Sequence, residues 1–184
     1  AVELQQHRTE LVDRAVQTLR EAGCEITTRT ADGTTIGTEQ PGRFSRVLAD
    51  VPCSGLGALR RRPEARWRRT PADVGQLGGL QRALLASALD AAAPGGVVAY
   101  VTCSPHLAET RLIVADVLKR RDDVEEVDAR AAVRSGVLPA EQKDLDLGDG
   151  PAVQLWPHIH GTDAMYIHLL RMRHAPSEEG PPTA

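Results

Sequence analysis

Aromatic side chains make up only 3% of the 184 residues: one Phe, two Tyr and two Trp. A core cannot rest on stacked rings here. It must be built from Val, Leu, Ile and Ala, within an apolar fraction of 41% that is ordinary for a globular protein. Cysteine is also scarce, and three thiols make no disulfide framework. No basic-then-apolar leader opens the sequence, and no apolar run approaches the ~20 residues of a membrane span. These absences lead to the expectation of a soluble, cytoplasmic protein with reduced thiols. Neither sign of charge dominates: 22 Lys and Arg stand against 25 Asp and Glu, for a net charge of −3. The chain is no polycation, so any contact with nucleic acid must come from a local patch. The length suits one core and one domain.

The pattern along the chain alternates strands with helices. "AVEL" reads as the end of a strand. In "QQHRTELVDRAVQTLREAG", Leu11, Val12, Ala15, Val16 and Leu19 fall at helical spacing, and Gly23 stops the run. "CEITTRT" alternates and is β-branched, so a strand is expected there, followed by a loop over "ADGTTIGTEQPG". "FSRVLADVP" is an apolar strand ending at Asp50, and a polar segment runs on to about Pro71. "ADVGQLGGLQRALLASALDAA" is helical, with Pro94-Gly95-Gly96 ending it before the buried strand "VVAYVTCS". A helix over "HLAETRLIVADVLKRRD" and a short strand over "DVEEVDA" come next. Residues 130–150 are polar and irregular, and "AVQLWPH" with "AMYIHLLRMR" reads as a terminal antiparallel strand pair. Residues 174–184 are expected to be a disordered tail. The expectation is an α/β fold with a mainly parallel sheet, in which ligands sit beyond the carboxyl ends of the strands.

Two of the three cysteines share a setting. Cys53 in "DVPCSGLG" and Cys103 in "VTCSPHLAET" each follow an apolar strand, and each is followed by Ser. Both sit at strand ends, so they could face one cleft despite fifty intervening positions.

With these two signatures, Asp50-Val51-Pro52-Cys53-Ser54-Gly55 and Thr102-Cys103-Ser104, the chain resembles the bacterial Sun/RsmB-type (Fmu) RNA cytosine-C5 methyltransferases, which use S-adenosyl-L-methionine. The likeness extends to "GALRRRPEARWRR", to "QLGGLQRALLASALDAAAPGG" and to "LWPHIHGTDAMYIHLLR", so it covers residues 1–173. It implies a Rossmann-like methyltransferase fold. Two departures stand out. Glu109 is followed by Thr110 where the family has Asn, and the family's glycine-rich cofactor loop is absent from the sequence. By strand order "AVEL" would come after that loop. The chain is therefore expected to be the C-terminal part of a longer enzyme, a partial catalytic domain over 1–173 that is inactive alone.

The resemblance implies roles for particular residues. Cys103 is the nucleophile that adds to C6 of cytosine, which makes C5 able to take a methyl group. Cys53 assists proton removal and release. Asp50 would bond the cytosine at N3 and its amino group, and it also counts among the cofactor-side residues; its alternative use is to cap the following turn. Glu3 would accept the ribose hydroxyls of the cofactor, and Asp32 matches a position near the adenine, with an Asp-Gly turn as the plainer reading. Arg60, Arg61, Arg62, Arg66, Arg68 and Arg69 surround Trp67 with only Glu64 opposing. Arginine grips phosphate bidentately and planar side chains stack on splayed bases, so this segment is assigned to RNA, with a solvated charged loop as its alternative. The expected partner is ribosomal RNA, 16S above all; neither a protein partner nor a membrane is implied. His158 and His160 would share one face of a strand, a fragment of a zinc site, but no further Cys or His stands at ligand spacing and no metal is assigned. His106 could tune the Cys103 thiolate. Cys24 and Asp163 read as structural. A non-catalytic RNA-binding domain with a degenerate methyltransferase fold is the alternative for the whole chain. A thiol oxidoreductase is disfavoured by the lack of a C-x-x-C.

Overall fold

The structure, a computed structural model, describes residues 1–68, 70–137 and 145–174. Arg69 and the expected tail beyond His174 lie outside the described residues. The elements follow in the order β1 (Val2–Glu3), α1 (Gln6–Ala15), α2 (Gln17–Glu21), β2 (Arg29–Thr30), α3 (Ile36–Glu39), β3 (Phe44–Asp50), α4 (Ala65–Arg68), α5 (Pro71–Ala91), β4 (Ala92–Thr102), α6 (Arg111–Leu118), β5 (Val124–Val127), α7 (Ala129–Ser135), β6 (Val153–Gln154), α8 (Pro157–His160) and β7 (Tyr166–Met172).

Five strands form one sheet in the order β3-β4-β7-β5, with β6 also paired to β7. β3 is parallel to β4, while β7 runs antiparallel to β4, β5 and β6. Four strands therefore point one way and β7 alone is reversed, which is the α/β fold expected, with its terminal antiparallel pair. β1 and β2 form a separate parallel ribbon.

The period-2 burial of β4 follows from helices on one face. Val98, Tyr100 and Thr102 are fully buried, and Val98 and Tyr100 pack with Leu85 and Leu89 of α5, Ile113 and Val114 of α6, and Tyr166 and Leu170 of β7. Tyr100 and Tyr166 meet edge to face at 6.3 Å, so the two tyrosines sit together at the centre of an otherwise aliphatic core. A smaller cluster of Ala129, Leu147 and Val153 covers the opposite face, against Ile167 and Leu169. α5 starts where Asp73 accepts from both the N–H (2.7 Å) and the hydroxyl (3.0 Å) of Thr70, with Pro71 in the first turn.

Several expectations change in detail. The first predicted helix breaks at Val16 into α1 and α2, and its apolar stripe is not core: Leu11 is 55% and Leu19 51% exposed. Local polar ties hold it instead, with Thr28 donating to Asp13 (2.7 Å) and Arg20 to the Ile26 carbonyl (2.8 Å). Only Arg29–Thr30 of "CEITTRT" is strand, and Cys24 is exposed in the irregular stretch before it. The loop after it carries a short 3-10 turn and α3. Pro94-Gly95-Gly96 lies inside β4, where the register against β3 jumps from Phe44↔Ala92 to Arg46↔Val97. Gly95 takes φ +76° there, and a Cβ on Gly96 would come within 2.9 Å of the Phe44 carbonyl oxygen. Residues 129–135 form α7, capped by Asp128, which accepts from the Arg130 N–H. α8 takes the place of a longer strand over "AVQLWPH".

Replacing the fully buried Leu85 by Ala is expected to cost about 2–5 kcal/mol. Leu11→Ala, on the exposed stripe, should change stability by less than about 0.5 kcal/mol. Urea unfolding followed by circular dichroism measures both, and equal losses would place the α1 stripe in the core.

Candidate active site

β3 and β4 are parallel neighbours with Asp50 opposite Val101, so their carboxyl ends open at the same edge of the sheet. The Val51 N–H still bonds the Val101 carbonyl (3.1 Å), and the two cysteine loops leave the sheet together. The Sγ atoms of Cys53 and Cys103 end 3.2 Å apart, both partly buried, and both residues are free cysteines. Asp50 is exposed at the rim. Gly57 wedges between the second loop and the approach to β7. Its N–H bonds the Cys103 carbonyl and its carbonyl accepts from the Ala164 N–H, each at 2.9 Å. A Cβ there would lie 2.1 Å from the Ala164 carbonyl oxygen and 2.7 Å from that of Cys103, so only glycine fits.

Beneath the thiols lies a buried carboxylate. Glu109 Oε1 accepts from the Ser54 N–H (2.7 Å) and from Gln81 Nε2 (3.3 Å), and Oε2 from the hydroxyls of Ser54 and Ser104, each at 2.6 Å. Glu109, Gln81 and Ser104 are fully buried, and Ser54 is 1% exposed. Gln81 also donates to the Pro52 carbonyl (2.9 Å), and Tyr100 donates its hydroxyl to the Glu109 carbonyl (2.8 Å). Where the resembled family has Asn, the Thr110 hydroxyl donates to the His106 carbonyl (3.0 Å) and closes the turn. Sequence reading missed Glu109 and Gln81 as site residues. The Ser that follows each Cys was the available signal, for both hydroxyls reach one carboxylate.

The thiols do not share charge equally. The Cys103 thiol against its sulfur holds Cys53 down to about 6, with help from the Gly55 N–H and against the cost of burial. Cys103 is pushed above the ordinary thiol range by the same contact, by burial and by the negative charge of Cys53. Loss of the first thiol proton leaves the two sulfurs sharing the other, with Cys53 the more readily ionised partner.

On the other side of β3, a groove of about 310 Å³ runs between the β1 end and β3, lined by Ala1, Val2, Gly33, Ile36, Asp50 and Val51 among others. Glu3 and Asp32 each adjoin a lining residue, Val2 and Gly33, and the β1–β2 register sets Glu3 opposite Thr30, two positions before Asp32. Glu3 already accepts from the Gln5 N–H (3.2 Å) and faces Arg8 (3.3 Å). Asp32 caps the 3-10 turn through the N–H (2.9 Å) and hydroxyl (2.8 Å) of Thr34, which hold its carboxyl below the usual range. Its plainer sequence reading, a turn-forming Asp, is thus satisfied in the structure.

The arginine segment lies on the surface beside the thiol loops. Arg61 is tied by its guanidinium to Asp163, with Nε at 2.8 Å, and anchors the segment to the turn before β7, a structural role for Asp163. Trp67 is 83% exposed with the Arg66 guanidinium 5.5 Å from its ring, and Arg60, Arg62 and Arg68 are exposed around it. His106 turns Nδ1 to the Ala108 N–H (3.1 Å) and caps a turn instead of meeting Cys103. His158 and His160 stand on the helical turn α8, not on a strand, and His160 is spent on the Trp156 N–H (2.8 Å) and the Asp146 carbonyl (2.6 Å). Among the described residues no three His, Cys, Asp or Glu side chains are grouped to hold a metal. No helix among them is long and apolar enough to cross a membrane.

Alkylation of Cys53 by iodoacetamide should rise with pH through about 6 and level off above it, because the lowered thiol is anionic above that value and protonated below it. Cys103 should lag across the same range. Peptide mapping by mass spectrometry reads the two rates separately, and a Cys53 midpoint in the ordinary range near 8.5 would remove the shared-proton description.

The profile of the 16S rRNA methyltransferase RsmB/F family matches residues 1–171. Rv1407 of Mycobacterium tuberculosis (strain H37Rv), a protein named as a methyltransferase, is 52% identical over 171 residues, which is 93% of this chain and 34% of that protein. The chain thus spans about a third of the length of that relative. The crystal structure of PH0851 superposes with a TM-score of 0.77 at 25% identity, covering 92% of this chain and 36% of the other. NSun6 from Pyrococcus horikoshii, solved with SFG, superposes at 0.70 and 20% identity over 95% of this chain and 41% of that one. With the family profile running through both cysteine loops, the buried carboxylate and the reversed last strand, this chain belongs to the RsmB/F family of 16S rRNA methyltransferases.

Proposed function

We propose that this chain forms the thiol-bearing part of an S-adenosyl-L-methionine-dependent RNA cytosine-C5 methyltransferase acting on 16S ribosomal RNA. The single observation that carries the reading is the contact of the two motif cysteines at 3.2 Å, at adjacent strand ends. Cytosine C5 is a poor nucleophile until a sulfur adds to C6. Cys103 is that sulfur. It passes its proton to Cys53, the anionic partner already in contact with it, as the C6–S bond forms. Asp50, exposed at the rim of the same opening, bonds N3 and the exocyclic amino group and favours addition at C6. Once C5 carries the methyl group, water entering the opening takes the C5 proton, its electron pair restores the C5–C6 double bond, and the C6–S bond breaks. Cys53 assists by returning a proton to the departing sulfur. Overall C5–H becomes C5–CH3 and one proton is released.

The residues beside the groove suit the cofactor in part. Glu3, Asp32 and Asp50 offer carboxylate acceptors for a ribose diol and a compensating charge for a sulfonium. When bound, S-adenosyl-L-methionine supplies the electrophilic methyl group. SFG, found with the fold neighbour NSun6, is an analogue of that molecule. The exposed Trp67 and its neighbouring arginines hold the RNA strand by stacking and by phosphate contacts.

The 184-residue chain alone is expected to bind S-adenosyl-L-methionine too weakly for calorimetry in the micromolar range, since its sequence holds no glycine-rich loop to cradle the cofactor. Micromolar binding would overturn that expectation. For the chemistry, the full gene product is incubated with cofactor and substrate RNA and run on a denaturing gel. Cys53→Ala should accumulate a covalent protein–RNA band, and Cys103→Ala should give neither adduct nor methylated RNA. Unchanged adduct and methyl transfer in both variants would return the two thiols to packing residues.

A further inference from the structure

The Glu109 carboxylate is fully buried, and the four donors that reach it are neutral: two serine hydroxyls, one backbone N–H and one amide. Burying a carboxylate with such partners costs stability compared with an apolar side chain of the same size. What it gains is geometry. Three of those four donors belong to the residues that immediately follow the two cysteines, Ser54 and Ser104. The fourth, Gln81, also holds the carbonyl of Pro52, the residue before Cys53. Cys53 is thus pinned on both sides, and the Cys103 loop is pinned to the same carboxyl group. Oε2 receives one hydroxyl from each loop at 2.6 Å, so a single oxygen fixes the separation of the two backbones that carry the sulfurs.

On the reading that Cys53 and Cys103 are the working thiols, we propose that Glu109 is a positioning residue that sets the sulfur–sulfur contact by bridging Ser54 and Ser104. Its negative charge is incidental to that role and works against it, since the Glu109 charge raises the Cys53 thiol that the Cys103 contact lowers.

The two effects have opposite signs, which makes them separable. Glu109→Gln keeps the side-chain length. Its amide oxygen can accept from the Ser54 N–H and Gln81, and its amino group can donate to the two serine hydroxyls, which turn to accept. Glu109→Ala removes the bridge. In the full gene product, without RNA or methyl donor, the pH midpoint of Cys53 alkylation is followed by peptide mapping, together with the rate at which diamide joins Cys53 to Cys103. Diamide takes up the two thiol protons and two electrons as the S–S bond forms. The expected result is a Cys53 midpoint in Glu109→Gln at or below its starting value near 6, with closure unchanged. In Glu109→Ala the midpoint should rise towards the ordinary thiol value of about 8.5. Closure should slow by about tenfold or more, as expected when the hydrogen bonds that join the two loops are lost. Equal downward shifts in both variants would mean that Glu109 acts by charge, and no shift in either would mean that it only packs; each result overturns the proposal. Should Glu109→Ala fail to fold, Ser104→Ala decides, because it frees only the Cys103 loop: a raised midpoint supports the bridge and an unchanged one overturns it. None of these readouts depends on methyl transfer, so failure here leaves the gel experiment untouched, and failure of the gel experiment leaves the bridge measurable.

Discussion

A carboxylate shut off from the surface must be surrounded by donors, and at Glu109 those donors come from three separated stretches of chain: the Cys53 loop, α5 through Gln81 and the Cys103 loop. The constraint reaches outward. Gln81 can serve only because α5 crosses behind β3 and β4, which the burial of Leu85 and Leu89 against Val98 and Tyr100 enforces. Tyr100 adds its hydroxyl to the Glu109 backbone and ties the centre of the sheet to the same point. The site is therefore an outgrowth of the core, not a pair of loops laid over it. The position of each sulfur depends on bonds that water cannot easily compete for.

The same arrangement explains why the thiols differ. Two identical side chains at contact cannot both be charged, and the one better supplied with donors takes the charge. Cys53 has the Gly55 N–H and the Cys103 thiol; Cys103 faces the charge of Cys53 and that of Asp50. Asymmetry of this kind sets two chemically equal groups apart, one the readier to lose its proton and the other the readier to keep it.

Much of this was readable in the residues. The two cysteine motifs sit at strand ends because apolar runs precede them, and a parallel pairing of those strands brings the motifs together. The alternation of strands and helices gave the α/β fold, and the antiparallel end of the sheet followed from "AMYIHLLRMR". The parts that were not readable share a cause. Glu109 stands in a polar stretch between a cysteine loop and a helix, where a charged side chain is ordinarily solvated, and nothing local shows that α5 will close over it. His158 and His160 looked like strand neighbours, but Pro157 opens a helical turn and the ring of His160 folds back on Trp156. The stripe of Leu11 and Leu19 has helical period yet faces outward, because period reports only that a helix has two faces and not that the second face has something to cover it.

The reversed strand β7 carries a consequence for how the protein is made. The Gly57 carbonyl, beside the Cys103 loop, takes its hydrogen bond from Ala164, more than a hundred residues further along, and the inner strand β4 has β7 as its second neighbour. A chain emerging from the ribosome presents both thiols long before Ala164 exists. Through that interval β4 carries an open edge, which β7 covers once it is made. The strand that covers the β4 edge thus also walls the site, through the bond from Ala164 to Gly57.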